Sequence, residues 1–314
     1  MSQVWLGVLW KIISCTCFAI VNGLVRYLSS DSFSSDATPT YVVMLYQNLI
    51  ATLILLPVLL TKTNFNVKKI LATKQPYLHF ARVLTAVCGI GLWYLSLKYM
   101  QMTQVIAISF IAPIITIMGS TIFLHEKLSW PRCLAITLSI IGGFLISRPD
   151  RGIIGLDFSL VVFFPVLAAS IFAFDKILTR KLLELGEQPN ILTIYLVGST
   201  AILCVIPFVV YGCPWPSIDK LPWLCTLGIT GCLAHYSFSK AYAYAEVTFL
   251  MPFGISKFVL SALIGYFAFS EIPRTFSIWI GMIVILASTI LLNLSPAKRS
   301  QNKEKPILVG QATT

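Results

Sequence analysis

Lys257 stands eleven residues into an apolar run that extends from 246 to 269. An ammonium group at that depth of a membrane costs roughly 2.5–3.5 kcal/mol on insertion scales, so it must face a cavity, a partner or a substrate. Phe253, Ser256 and Leu260 share its helical face at three- and four-residue intervals. The face therefore sets a ring, a hydroxyl and a cation side by side. Such a group could meet a carboxylate or phosphate, or the lysine could be tied structurally to a backbone carbonyl freed by Pro252.

Two aromatic stripes accompany it. Arg82, Thr85, Gly89 and Trp93 line one helical face, and Gly231, His235, Phe238, Ser239 and Tyr242 line another. Rings that face a solvated cavity can stack on a planar ligand or hold a cation over the ring, and rings in a membrane also serve as packing. Arg82 lies toward the inner end of its run, placed for a site or as a snorkelling anchor. His235 suits either a hydrogen-bonded packing role or proton transfer. Ser109 could orient polar groups, and Asn22 and Arg26, one turn apart, could line a vestibule. Asp175, beside Lys176 and five residues before Arg180, reads as a local ion pair. Lys11, Lys176 and Lys240 sit near inner ends of runs, where a long stem can carry the ammonium to the interface. His125-Glu126 lacks a second histidine four residues after the first, so a zinc-protease reading fails. The eight cysteines have no metal-ligand spacing and behave as small packing residues. No metal or cofactor is expected.

The elements that must hold these residues are membrane helices. The 314 residues are 57% hydrophobic and 11% charged, with a mean hydropathy of +0.85, which excludes a soluble domain. A helix needs about 20 mainly apolar residues to cross the hydrocarbon core. Ten stretches qualify, near 5–28, 39–61, 77–98, 102–124, 132–147, 158–179, 190–211, 221–242, 246–269 and 276–294. They do not alternate as barrel strands do. Lys11 interrupts the first, and no small-residue cleavage site follows, so it reads as a retained helix rather than a signal peptide. Pro39, Pro76, Pro131, Pro189 and Pro222 suit first helical turns. Pro57, Pro113, Pro207 and Pro252 fall within runs and suit kinks. Ser139, Gly143 and Gly281 suit close helix contact, inside the chain or at a homodimer seam. Residues 296–314 read as a disordered basic tail.

A formal charge of +11 could suggest nucleic acid, but its distribution argues otherwise. With the amino terminus inside, inner loops and tail carry twelve Lys or Arg residues and outer loops carry five. That bias places both termini in the cytoplasm. The partners expected are a lipid bilayer and a small-molecule metabolite.

Residues 82–128 are echoed by 227–273 at a spacing of 145, through Thr85/Thr230, Tyr99/Tyr244, Thr103/Thr248 and Glu126/Glu271. Residues 14–26 echo 168–180 at a spacing of 154, through Phe18/Phe172, Ala19/Ala173 and Arg26/Arg180. Five helices per half invert the second copy. The expected fold is thus an all-α membrane protein with ten transmembrane helices in two inverted five-helix repeats, 1–148 and 149–295, followed by the tail. Inverted repeats recur in secondary transporters that work by alternating access.

This arrangement, with Pro113 thirteen residues before Glu126 and a glycine-containing helix after each repeated glutamate, resembles the EamA branch of the drug/metabolite transporter superfamily. Within it, Leu78-His79-Phe80-Ala81-Arg82, Trp93-Tyr94, the stretch 167–173 and Lys240-Ala241 are similar to S-adenosylmethionine uptake carriers of obligate intracellular bacteria. The resemblance implies a cavity lined by helices one, three, four, six, eight and nine, with helices five and ten at the periphery. It breaks at Gln47, where related chains often have arginine, and at Lys257, where the S-adenosylmethionine carriers have an acidic residue.

The sequence thus points to a carrier of the bacterial inner membrane that moves a small polar metabolite, S-adenosylmethionine first among the candidates. Other amino-acid-like or nucleotide-like solutes fit the same residues. The substrate residues expected are Lys257, Trp93, Phe238, His235, Arg82, Ser109, Phe253 and Asn22. A membrane enzyme would need a convergent catalytic set, and a scaffold would need large extramembrane domains; the sequence offers neither. A fluorescent protein that matures only in the cytoplasm, fused after Thr314, is expected to fluoresce. A dark but intact fusion would reverse the topology.

Overall fold

The structure, a computed structural model, describes residues 3–30, 37–62, 73, 75–100, 102, 105, 109, 111–125, 130–147, 163–212, 215–270, 280, 283, 284 and 287. Among them, nine α-helices follow in order: α1 Gln3–Ser29, α2 Thr40–Lys62, α3 Pro76–Tyr99, α4 Ile111–Phe123, α5 Trp130–Ser147, α6 Phe163–Glu184, α7 Pro189–Val210, α8 Leu221–Tyr244 and α9 Val247–Phe269. No strand occurs among the described residues. The expected tenth span lies almost entirely outside them. So do the junction 152–157, the tail and the echoed residues Thr103, Glu126 and Glu271.

Helices α1, α2, α3 and α7 are long and apolar enough to cross a membrane. Apolar side chains face outward as well as inward, and charged and polar groups are buried. Leu53, Ile202, Val209 and Phe267 are each more than 60% exposed, while Arg82, Asn22, Gln47 and Arg26 are almost fully buried. Apolar surface of this extent belongs against lipid, and polar groups must be satisfied inside the bundle.

Helix starts follow the proline pattern. Proline occupies the first turn of α3, α7 and α8, where its missing N–H costs nothing. Helix α6 continues five residues beyond the expected 179. Hydropathy stops at the first charges, but Leu182 and Leu183 are buried in a cluster with Tyr242 and Leu250, so packing carries the helix on. It then ends at Gly186, whose φ of +92° is open to glycine. Gly186 N–H donates to the Leu183 carbonyl and Glu187 N–H to the Leu182 carbonyl, the paired bonds of a Schellman turn. The turn brings Glu187 to His79 of α3, at 3.7 Å.

Helix α1 packs on α8 and α9, α6 packs on α3 and α4, and α2 packs on α7. Two glycines illustrate close crossings. A Cβ at Gly7 would lie 3.1 Å from Tyr244 Cβ, and one at Gly89 would lie 2.9 Å from the Phe172 ring, so α1–α8 and α3–α6 approach where small residues allow it.

Two arginines close the carboxyl ends of helices. Arg26 on α1 donates from Nη1 to the carbonyls of Leu97, at 2.9 Å, and Met100. Arg180 on α6 donates from Nη1 to the carbonyls of Tyr242 and, at 3.4 Å, Ala245. The last carbonyls of a helix have no intrahelical donor, and a cation there also complements the helix dipole. Replacing either arginine by alanine strands two carbonyls at roughly 1–3 kcal/mol each. Arg26→Ala and Arg180→Ala are therefore expected to lower the unfolding midpoint in detergent, and Arg26→Lys to recover part of the loss. An unchanged midpoint would show that these bonds add no stability.

Candidate functional site

Between the helices lies a central cavity of about 150 Å³, measured for the centres of water-sized spheres. One water needs roughly 10–15 Å³ on that measure, so the space admits a metabolite or many waters. Its wall includes α1, α3, α4, α6, α8 and α9, the helices implied by the resemblance. Gln47 of α2 and Leu196 of α7 also reach it.

Six of the expected substrate residues meet there: Asn22, Trp93, Ser109, His235, Phe238 and Lys257. Trp93 donates from Nε1 to Asn22 Oδ1 at 3.0 Å, and Asn22 Nδ2 donates to Ser261 Oγ at 3.1 Å. The chain of bonds fixes the indole between α1 and α9. Lys257 Nζ stands 5.0 Å from the centre of the Trp93 ring and 5.9 Å from that of Phe18. This is the range in which a ring face attracts a cation. The Phe18 ring meets His235 edge-on at 5.0 Å, so the histidine belongs to an aromatic wall. Ser109, just ahead of α4, is buried.

The other two expected residues lie elsewhere. Phe253 is buried and packs its ring on Phe249 at 5.9 Å. Its carbonyl accepts from Cys15 Sγ at 3.6 Å and from Ser256 Oγ at 2.6 Å. Arg82, neither anchor nor wall, joins three helices: Nε donates to Thr179 Oγ1 of α6 at 2.7 Å and Nη1 to the Leu192 carbonyl of α7 at 2.7 Å. Nε also lies 3.5 Å from Asp175 Oδ1. The ion pair expected within α6 therefore forms across helices, because Asp175 points toward α3.

Several wall residues escaped the sequence reading. Lys11 and Lys176 line the cavity instead of reaching for the interface. Lys11 is 5% exposed and donates from Nζ to Tyr242 Oη at 2.9 Å. It also lies 4.9 Å from the Phe238 ring centre and 4.6 Å from that of Tyr242. Tyr94 donates its hydroxyl to Gln47 Oε1. Phe172 approaches Trp93 with 6.0 Å between ring centres. A signal for Phe18 and Phe172 was present, since they are an identical pair of the 154-residue echo. Lys11 gave none beyond being a charge in an apolar run. Vestibule residue Arg26 proves to be a helix cap.

Chemically, the cavity offers flat rings, three lysine side chains and a few hydrogen-bonding side chains. No set of three or more metal-ligating side chains occurs among the described residues.

Comparison with known proteins gives a consistent picture. Residues 5–148 match the EamA-like transporter family. Over 303 residues, 95% of this chain and 96% of the relative, the sequence is 30% identical to a riboflavin transporter of Vibrio cholerae serotype O1. It is 25% identical over 301 residues, again 95% and 96%, to an S-adenosylmethionine uptake transporter of Rickettsia felis. One crystal structure shares the fold with a TM-score of 0.72 at 14% identity, over 93% of this chain and 96% of its own.

Arg82 and Asp175 supply a test of the architecture around the cavity. Removing one member of a buried ion pair leaves an uncompensated charge, at about 3–5 kcal/mol. Arg82→Ala is expected to destabilise the protein in detergent strongly, and adding Asp175→Asn to recover much of that loss. A double variant no more stable than Arg82→Ala would assign the effect to the Thr179 and Leu192 bonds instead.

Proposed function

The chain belongs to the EamA-like transporter family, and on that premise we propose that it carries a flat, ring-bearing metabolite through the central cavity by alternating access. It is a membrane transporter. The observation that carries the substrate reading is the wall itself, where Trp93, Phe18, Phe172 and Phe238 surround a space edged by Lys257 and Lys11. Ring faces bind a planar heterocycle by stacking. Asn22, Ser109 and His235 orient its polar edge, and Lys257 meets an electron-rich group on it.

Packing supports a machine of two repeats. Exchange α1 with α6, α2 with α7, α3 with α8 and α4 with α9, and the principal contacts map onto one another: α1–α8 onto α6–α3, α1–α9 onto α6–α4, and α2–α8 onto α7–α3. The arginine caps obey the same exchange. Arg26 and Arg180 are 154 residues apart, and the carbonyls they hold, Leu97/Tyr242 and Met100/Ala245, are 145 apart. Halves 1–148 and 149–295, each of five helices and oppositely inserted, would account for both spacings. Rocking of the halves would open the cavity to either side. In a bacterial inner membrane both termini face the cytoplasm on this reading, with 296–314 as a basic tail.

The relatives' substrates, riboflavin and S-adenosylmethionine, both carry planar heterocycles. S-adenosylmethionine brings a carboxylate for Lys257, but also a sulfonium cation into a cavity that already holds three lysines. A flavin ring offers the flat surface without that cation, and it is the favoured class. Cells expressing the protein are expected to show saturable uptake of labelled riboflavin that Trp93→Ala and Lys257→Ala each reduce about tenfold or more. Saturable uptake of S-adenosylmethionine that riboflavin does not compete would overturn the flavin assignment. A rate that does not change between about pH 5.5 and 8 would rule out proton coupling through His235.

A further inference from the structure

From the three lysines of the cavity wall we propose that the preferred substrate is an anionic, phosphate-bearing form of the planar metabolite. This rests on the ring-binding reading above and adds a charge to it. Lys11 of α1, Lys176 of α6 and Lys257 of α9 all line the same space, and each lies within electrostatic range of the other two. Helix packing fixes them together. A Cβ at Gly254 would come within 3.1 Å of Lys11 Cε, and Lys257 is one turn further along α9.

Among the described residues, one carboxylate shares the cavity wall with these lysines. Of twelve Asp and Glu residues in the chain, Asp175 is the one among the described lining residues, and it is shared between Arg82, whose Nε stands 3.5 Å away, and the adjacent Lys176. Ring faces satisfy part of the charge: Lys11 is held over Phe238 and Tyr242, and Lys257 over Trp93 and Phe18. A quadrupole is a weak partner for a buried cation compared with an anion. Three lysines around one desolvated space therefore favour a ligand that brings a compact multiple negative charge. A phosphate monoester, doubly charged and rich in acceptors, meets that need, and lysine is well suited to it as a point charge. The stacking surface and the cluster adjoin, since Lys257 touches the Trp93 ring and Lys11 the Phe238 ring. A ring with a phosphorylated side arm spans both.

Binding to the purified full-length protein in detergent or liposomes tests this, with riboflavin, riboflavin 5′-phosphate and inorganic phosphate as probes. The phosphorylated ring is expected to bind at least about tenfold more tightly than riboflavin, on the scale of one charge-assisted contact. That preference should shrink in Lys11→Gln and Lys176→Gln, whose affinity for riboflavin itself should change less, and in raised salt. Each variant must keep the wild-type unfolding midpoint or be replaced by its arginine counterpart, which preserves the charge and is expected to keep the preference. Equal or tighter binding of riboflavin would overturn the anion assignment and leave the ring reading standing. Binding of inorganic phosphate without either ring compound, lost in the lysine variants, would overturn the ring reading and keep the anion site. No binding of any of the three would overturn both.

Discussion

In a hydrocarbon surround, a polar group has no water to fall back on, and this constraint organises the protein. The carbonyls at the ends of α3 and α8 cannot be left open, so Arg26 and Arg180 reach across to them. Those bonds also decide where α1 and α6 lie, because an arginine tied to two carbonyls fixes both the depth and the rotation of its helix. Arg82 does the same between α3, α6 and α7. Each of these arginines solves a local problem of satisfaction and, in doing so, sets one wall of the cavity.

The same constraint shapes the interior of the site. Lysines in the cavity are not left bare: Lys11 is held by the Tyr242 hydroxyl and two ring faces, and Lys257 by Trp93 and Phe18. Rings tolerate a cation at modest gain and do not neutralise it. The site therefore stays both flat and positive, a combination that an internal carboxylate would have cancelled. Asp175, the carboxylate that reaches the wall among the described residues, is turned toward Arg82.

Relatives that carry riboflavin and S-adenosylmethionine share most of this chain's length, so the scaffold accommodates more than one ring-bearing cargo. Charge in the wall is a means by which such a scaffold can distinguish them, because in a low-dielectric cavity a single added or missing charge outweighs small differences in shape. On the proposed reading, Lys257, where the resemblance to S-adenosylmethionine carriers calls for an acidic residue, is such a change.

Hydropathy by itself located the nine described helices to within a few residues, apart from the carboxyl end of α6, because the requirement for about 20 apolar residues per crossing is local and strong. The echoes at 145 and 154 residues likewise marked Arg26, Arg180, Phe18 and Phe172 as related, and Lys257 stood out as a charge too deep for lipid. Sequence could not say what those charges touch. Lys11, Lys176 and Lys257 look alike in a linear reading, each a lysine in an apolar run; only the crossing of α1 with α8 and α9 sets Lys11 beside Tyr242 rather than at the interface. Arg82 shares a stripe with Trp93, yet it ends on α6 and α7 while Trp93 faces the cavity. Helical period fixes a residue's direction relative to its own axis, whereas partnership depends on where the other axes run, and that was decided by contacts between residues up to 239 positions apart.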